Sequence, residues 1–66
     1  MVKNRLREIR MREYMMSQKE FALMLDMLPH DYNRIENMKK QVTVETALKI
    51  AKKLNKKVED IFELQE

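Results

Sequence analysis

Sixty-six residues, 44% hydrophobic and 38% charged, suit one small folded domain that buries only about 60% of its unfolded surface. The chain has no Cys, no Gly, one Pro and one His, which excludes disulfides, thiolate metal sites, glycine-rich phosphate loops and dinucleotide folds. The net charge of +3 is uneven: residues 1–57 carry fourteen Lys/Arg and seven Asp/Glu, and residues 58–66 carry four acids and no base. A small basic body favours a polyanion partner, although Lys and Arg also serve simply to solubilise helices. No apolar run reaches the ~18 residues of a membrane span, and the N-terminus lacks a signal-peptide core. The expected location is cytoplasmic, with no membrane partner. So small a core is marginal alone, so a partner subunit or ligand is expected to add stability.

Leu6, Ile9 and Arg10, with Asn4 as cap, predict a first helix over about 4–13. Ser17-Gln18-Lys19-Glu20 is a capping box, and Phe21, Ala22 and Leu25 behind it predict a second helix over about 18–25. Asp26-Met27-Leu28 interrupts the pattern, and Pro29 stands where a helix accepts it best, at its first position. Leu28, Tyr32 and Ile35 then give the apolar stripe of a third helix over about 29–36, whose other face carries His30, Asn33, Arg34 and Asn37. After a polar loop, Thr43 caps a fourth helix with a stripe of Ala47, Leu48, Ala51 and Leu54, ended by Asn55 in a left-handed conformation. A short fifth helix over about 58–62 buries Val58, Ile61 and Phe62, leaving residues 63–66 as a tail. The fold expected is all-α: one compact five-helix domain over residues 1–66.

Two short helices joined by three residues form a helix-turn-helix, which sets the second helix at the angle needed to enter a DNA major groove. Phe21, Leu25, Met27, Tyr32 and Ile35 supply the apolar contacts between the two helices and the core, and small Ala22 stands where they approach. An ordinary helical hairpin shares part of this pattern. With RLREIR (5–10), SQKEFA (17–22), NRIEN (33–37), ALKIAKKLN (47–55) and VEDIF (58–62) added, the chain resembles the Cro/CI-type, Xre-like, lambda repressor-like helix-turn-helix regulators from Arg5 to Leu64. These are mostly bacterial, phage or mobile-element transcription regulators, often repressors, that bind inverted-repeat operators as dimers.

The resemblance implies roles for particular residues. Gln18, with Lys19 beside it, matches a phosphate-binding Gln at the start of helix 2, and Asn37, Lys39 and Lys40 match a backbone-contacting loop. Residues 29–34 match the base-reading stretch, which here offers His30, Asp31, Asn33 and Arg34. Arg10 and Glu36 match a structural ion pair. Arg and Asn suit base edges, and Lys suits phosphates. Four departures stand out. Asp26 replaces the usual turn Gly, and Leu28-Pro29 replaces a Ser/Thr cap. Asp31 lies among the reading residues, where a carboxylate suits only a cytosine amine. The connection from Arg10 to Gln18 is one residue longer than the family pattern, with Tyr14-Met15-Met16 filling it.

Val58, Ile61, Phe62 and Leu64 are more apolar surface than a short helix and tail can hide, so they form the expected interface of a two-fold homodimer. The seven methionines, scattered over 1, 11, 15, 16, 24, 27 and 38, read as adaptable core filler. No metal, cofactor or small-molecule ligand is expected, and His30 alone cannot make a zinc site. No nucleophile–base pair or shielded carboxylate pair can be assembled, so no enzymatic activity is expected. The expected function is sequence-specific binding of double-stranded operator DNA by a homodimeric transcription repressor of a prokaryote or phage. The alternative is an antitoxin-like or antirepressor-like protein-interaction module, favoured by the Met and acidic residues near the third helix.

Overall fold

Every helix contributes apolar side chains to one core, in which Leu6, Phe21, Tyr32, Ile50 and Ile61 are the large residues most completely enclosed. The computed structural model describes residues 1–65. In chain order these form β1 (Val2–Asn4), α1 (Leu6–Ile9), a π-helical turn (Arg10–Tyr14), α2 (Gln18–Met24), α3 (Pro29–Glu36), α4 (Val44–Leu54), α5 (Val58–Ile61) and β2 (Phe62–Leu64). The architecture is the all-α, lambda repressor-like one expected, with a small two-stranded sheet added.

That sheet is the main departure from the sequence expectation. β1 and β2 pair antiparallel, with Val2 opposite Leu64, Lys3 opposite Glu63 and Asn4 opposite Phe62. Residues 63–65 are therefore not a free tail. The ladder is extended by Arg5 N–H to Ile61 O at 2.8 Å and by Gln65 N–H to Met1 O at 2.8 Å. Asn4 belongs to β1 rather than capping α1, whose N-cap is Arg5. Its side chain still serves the helix start: Oδ1 accepts from Leu6 N–H at 3.1 Å, while Nδ2 donates to Ile35 O at 2.9 Å. A single amide thus ties the N-terminal strand to the end of α3.

Between Arg10 and Gln18 the chain forms a π-helical turn, in which each hydrogen bond spans one residue more than in an α-helix. Met15 closes it at φ 51°, ψ 44°. With no glycine in the chain, three other residues also take positive φ at helix ends: Asp26, Met38 and Asn55. Each completes the same pair of hydrogen bonds. After α2, Met27 N–H reaches Ala22 O at 2.8 Å and Asp26 N–H reaches Leu23 O at 3.1 Å. After α3, Lys39 N–H reaches Arg34 O at 2.8 Å and Met38 N–H reaches Ile35 O at 3.1 Å. After α4, Lys56 N–H reaches Ala51 O at 3.0 Å and Asn55 N–H reaches Lys52 O at 3.2 Å. These are Schellman caps, which satisfy carbonyls the helix leaves open. Asn and Asp tolerate the left-handed region better than Met does.

Two expected core positions are corrected. Leu28 is 69% exposed, because the residue before a proline is driven out of the helical region and Leu28 is an extended N-cap at ψ 134°. Leu48 is 56% exposed, and Ile50 takes its place beside Ala47, Ala51 and Leu54. The i, i+3, i+4, i+7 spacing from Ala47 selects 50, 51 and 54 and leaves 48 about 100° away. Ile61 and Phe62 are buried within the chain, as the fifth-helix pattern predicts, and the strand pairing that holds Phe62 against the core leaves neither free for a second copy. Of the four residues expected at a dimer interface, only Leu64 is exposed, at 66%, and Val58 is half-buried.

Candidate nucleic-acid interface

The two halves of the helix-turn-helix are built differently at their starts. α2 opens with the full capping box: Ser17 Oγ accepts from Glu20 N–H at 3.1 Å, and Glu20 Oε1 accepts from Ser17 N–H at 3.0 Å. The Ser17 N–H, and after it the Ser17 hydroxyl, hold the Glu20 carboxyl below its ordinary range. α3 has no side-chain cap and begins on Pro29 instead. Between them, Asp26 in the left-handed conformation turns the chain and faces Lys53 of α4 at 2.9 Å.

α3 then divides cleanly into two faces. Tyr32, Ile35 and Glu36 are buried, while His30, Arg34 and Asn37 are exposed and Asn33 is half-buried. Residues 30, 33, 34 and 37 fall at the i, i+3, i+4, i+7 positions of a single helical stripe. Lys19 and Lys39 are exposed at the two flanks. Asp31 lies beside Lys40, with Oδ1 and Nζ 3.7 Å apart, so these two expected DNA contacts meet each other.

Behind the stripe, Glu36 gathers the polar groups of three elements. Arg10 Nε donates to Glu36 Oε1 at 2.9 Å and Arg10 Nη2 approaches Oε2 at 3.5 Å, with side-chain exposures of only 12% and 1%. Tyr32 hydroxyl donates to Oε1 at 2.8 Å, and Gln18 Nε2 donates to Oε2. Arg10 Nη1 also donates to Met16 O at 2.9 Å, pinning the loop after the π-helical turn. Gln18 is therefore not free to turn wholly toward a phosphate: its Oε1 accepts from Asn33 Nδ2 at 2.8 Å. The expected Arg10–Glu36 pair is brought together. The bonds to Tyr32 and Gln18 were not foreseen. Tyr32 and Glu36 are four apart on one helix, a legible signal; the meeting of Gln18 and Asn33 depends on how α2 crosses α3.

Electrostatics follow from this geometry. Burial pushes the Glu36 carboxyl up, but hydrogen bonds from Arg10, Gln18 and Tyr32 outweigh it, and the group sits below its ordinary range. The same hydrogen bond to Glu36 raises Arg10, against desolvation. Burial, and then its bond to Glu36, pushes the Tyr32 hydroxyl far up, so it remains a donor. An edge-on aromatic chain backs the cluster, with Tyr14–Phe21 centroids 5.2 Å apart and Phe21–Tyr32 centroids 5.5 Å apart.

A helix-turn-helix family model matches residues 6–61. The chain belongs to the Cro/CI-type, Xre-like helix-turn-helix family. The match runs from the first residue of α1 to the last of α5, taking in the buried ion pair and the exposed stripe. A Cro/CI-type protein is a DNA-binding transcription regulator. No curated protein matched the chain. Among the described residues, no helix is long and apolar enough to cross a membrane, and no three His, Asp or Glu side chains gather where they could hold a metal ion.

Proposed function

We propose that this Cro/CI-type protein is a repressor that occludes an inverted-repeat operator as a homodimer. The observation that carries this reading is the outer stripe of α3, on which His30, Asn33, Arg34 and Asn37 line up opposite the buried Tyr32 and Ile35. A helix so divided can lie in a major groove without surrendering its core contacts. Arg34 and His30 then meet base edges, while Asp31, held beside Lys40, suits a cytosine amine at the margin. Lys19, Asn37, Lys39 and Lys40, with the remaining amide proton of Gln18, meet phosphates. A two-fold dimer sets the two α3 helices about one DNA turn apart, roughly 34 Å. Exposed Leu64 and half-buried Val58 are the proposed contact.

Selection of bound fragments from random DNA, followed by gel-shift titration, tests the reading. Arg34→Ala is expected to lose about 1–3 kcal/mol on the selected operator and to relax one base position. Lys39→Ala is expected to weaken all DNA alike and to flatten the salt slope by about one unit. Sedimentation at high micromolar concentration checks the dimer; a pure monomer overturns that part. One observation favours a second reading, a protein-interaction module: Leu28 stands largely exposed at the start of α3. If both variants bind DNA as the parent does, α3 does not meet DNA and that second reading replaces the first.

A further inference from the structure

The hydrogen bonds behind α3 have a direction. An ionised carboxylate only accepts, so Glu36, already holding Arg10 and Tyr32, compels Gln18 to turn its NH2 group inward. The Gln18 carbonyl oxygen is thereby aimed the opposite way, and Asn33 meets it with an N–H at 2.8 Å. The Asn33 amide can then adopt only one orientation. One of its protons is committed to Gln18, and the other proton and Oδ1 are left for a ligand on the outer face of α3. One donor beside one acceptor complements adenine, which shows N7 as acceptor and N6 as donor in the major groove. Guanine shows two acceptors there, N7 and O6, and would set an oxygen against the Asn33 oxygen.

We infer that Asn33 reads an adenine, and that Glu36, acting through Gln18, is the positioning residue that fixes which way the Asn33 amide points. The inference rests on the DNA-reading role of α3 proposed above. It makes two residues that contact no base, Glu36 and Gln18, determinants of sequence preference.

Base-preference profiles from random-DNA selection test it, with parent, Asn33→Ala, Asn33→Asp and Gln18→Met each checked for folding by circular dichroism. The parent is expected to prefer adenine at one position of each half-site. Asn33→Ala should cut that preference roughly 5- to 150-fold, the range of a bidentate base contact. Asn33→Asp, which loses its donors, should move the preference toward cytosine. Gln18→Met keeps Asn33 but frees its amide, so it should blunt the same position several-fold. Loss of a phosphate contact alone would instead lower affinity for every sequence and leave the profile unaltered. A parent without sequence preference overturns the reading role and this inference with it. A selective parent whose profile Asn33→Ala leaves unchanged overturns the inference alone. If Asn33→Ala removes the adenine preference and Gln18→Met does not, the relay from Glu36 is overturned.

Discussion

The molecule uses opposite charges in two settings that look alike in a distance table and differ in physics. Arg10 and Glu36 meet at 2.9 Å with almost no solvent around them; Glu36 also accepts from Tyr32 and Gln18, and Arg10 also donates to the Met16 carbonyl. Asp26 and Lys53 also meet at 2.9 Å, but both side chains are about half exposed or more. In water the second attraction is screened and offset by the entropy of holding two long side chains. In the core, the loss of one partner strands the other in a medium that solvates charge poorly. Equal separation therefore implies unequal consequence, and the burial of the partners decides which.

Glu36→Gln tests the buried side of that contrast most severely. Removing the charge leaves Arg10 uncompensated and is expected to cost about 3–5 kcal/mol. At roughly 4–8 °C of melting temperature per kcal/mol for so small a domain, this should drop the melt by more than ten degrees. A melt within a few degrees of the parent would show that the pair is dispensable. The carboxyl also predicts a pH dependence. Native Glu36 holds its proton more weakly than the unfolded chain does, so the unfolded state takes up protons first as pH falls. Its stabilisation is present above the ordinary Glu value of ~4.3 and drains away as pH drops through the lower native value. Thermal melts between pH 6 and 2.5 should show this loss in the parent, with this component absent from Glu36→Gln.

Tyr32→Phe is a gentler probe of the same cluster. The ring keeps its edge-on contact with Phe21, and only the 2.8 Å bond to Glu36 disappears. Glu36 Oε1 retains Arg10 Nε, so the expected cost is about 1–2 kcal/mol. With one of its three hydrogen-bonding side chains removed, Glu36 should also titrate higher, and acid unfolding should begin at higher pH than in the parent. A variant equal to the parent in both melt and acid profile would confine the cluster to Arg10 and Glu36.

The contrast also separates what the chain made legible from what it hid. The capping box at Ser17, the left-handed Asn55 and the Arg10–Glu36 pairing were readable because each rests on local spacing or a family motif. Leu28 fits the apolar spacing of Tyr32 and Ile35, but Pro29 drives the residue before it out of the helical region, and that constraint wins. Leu48 lies beside the stripe and not in it, because helical phase counted from Ala47 selects Ile50. The β1–β2 sheet was hidden because three-residue strands have no periodicity of their own; they exist where the two termini are brought side by side, 60 residues apart in sequence. That pairing is also what takes Ile61 and Phe62 off the surface. At the site, the residue types along the outer stripe of α3 were legible, but their hydrogen-bond polarity was not. The polarity depends on Gln18 lying between Glu36 and Asn33, a tertiary arrangement without a sequence signature.

The exposed side of the contrast gives the smallest expected effect and the clearest control. Lys53→Ala removes the partner of Asp26 from a solvated surface, and the change should fall between 0 and about 1 kcal/mol. Asp26 keeps its positive φ and its N–H bond to Leu23 O, so the α2–α3 turn persists without the lysine. Whatever stability is lost should vanish in 1 M salt, where the screening length falls to ~3 Å. The Glu36→Gln deficit should survive the same salt almost undiminished, because ions do not penetrate between Arg10 and Glu36. Paired melts of both variants at 0.05 M and 1 M salt make the comparison within a single experiment. A Lys53→Ala deficit above 2 kcal/mol that persists in high salt would mean that the turn depends on this ion pair, and burial would no longer suffice to rank the two.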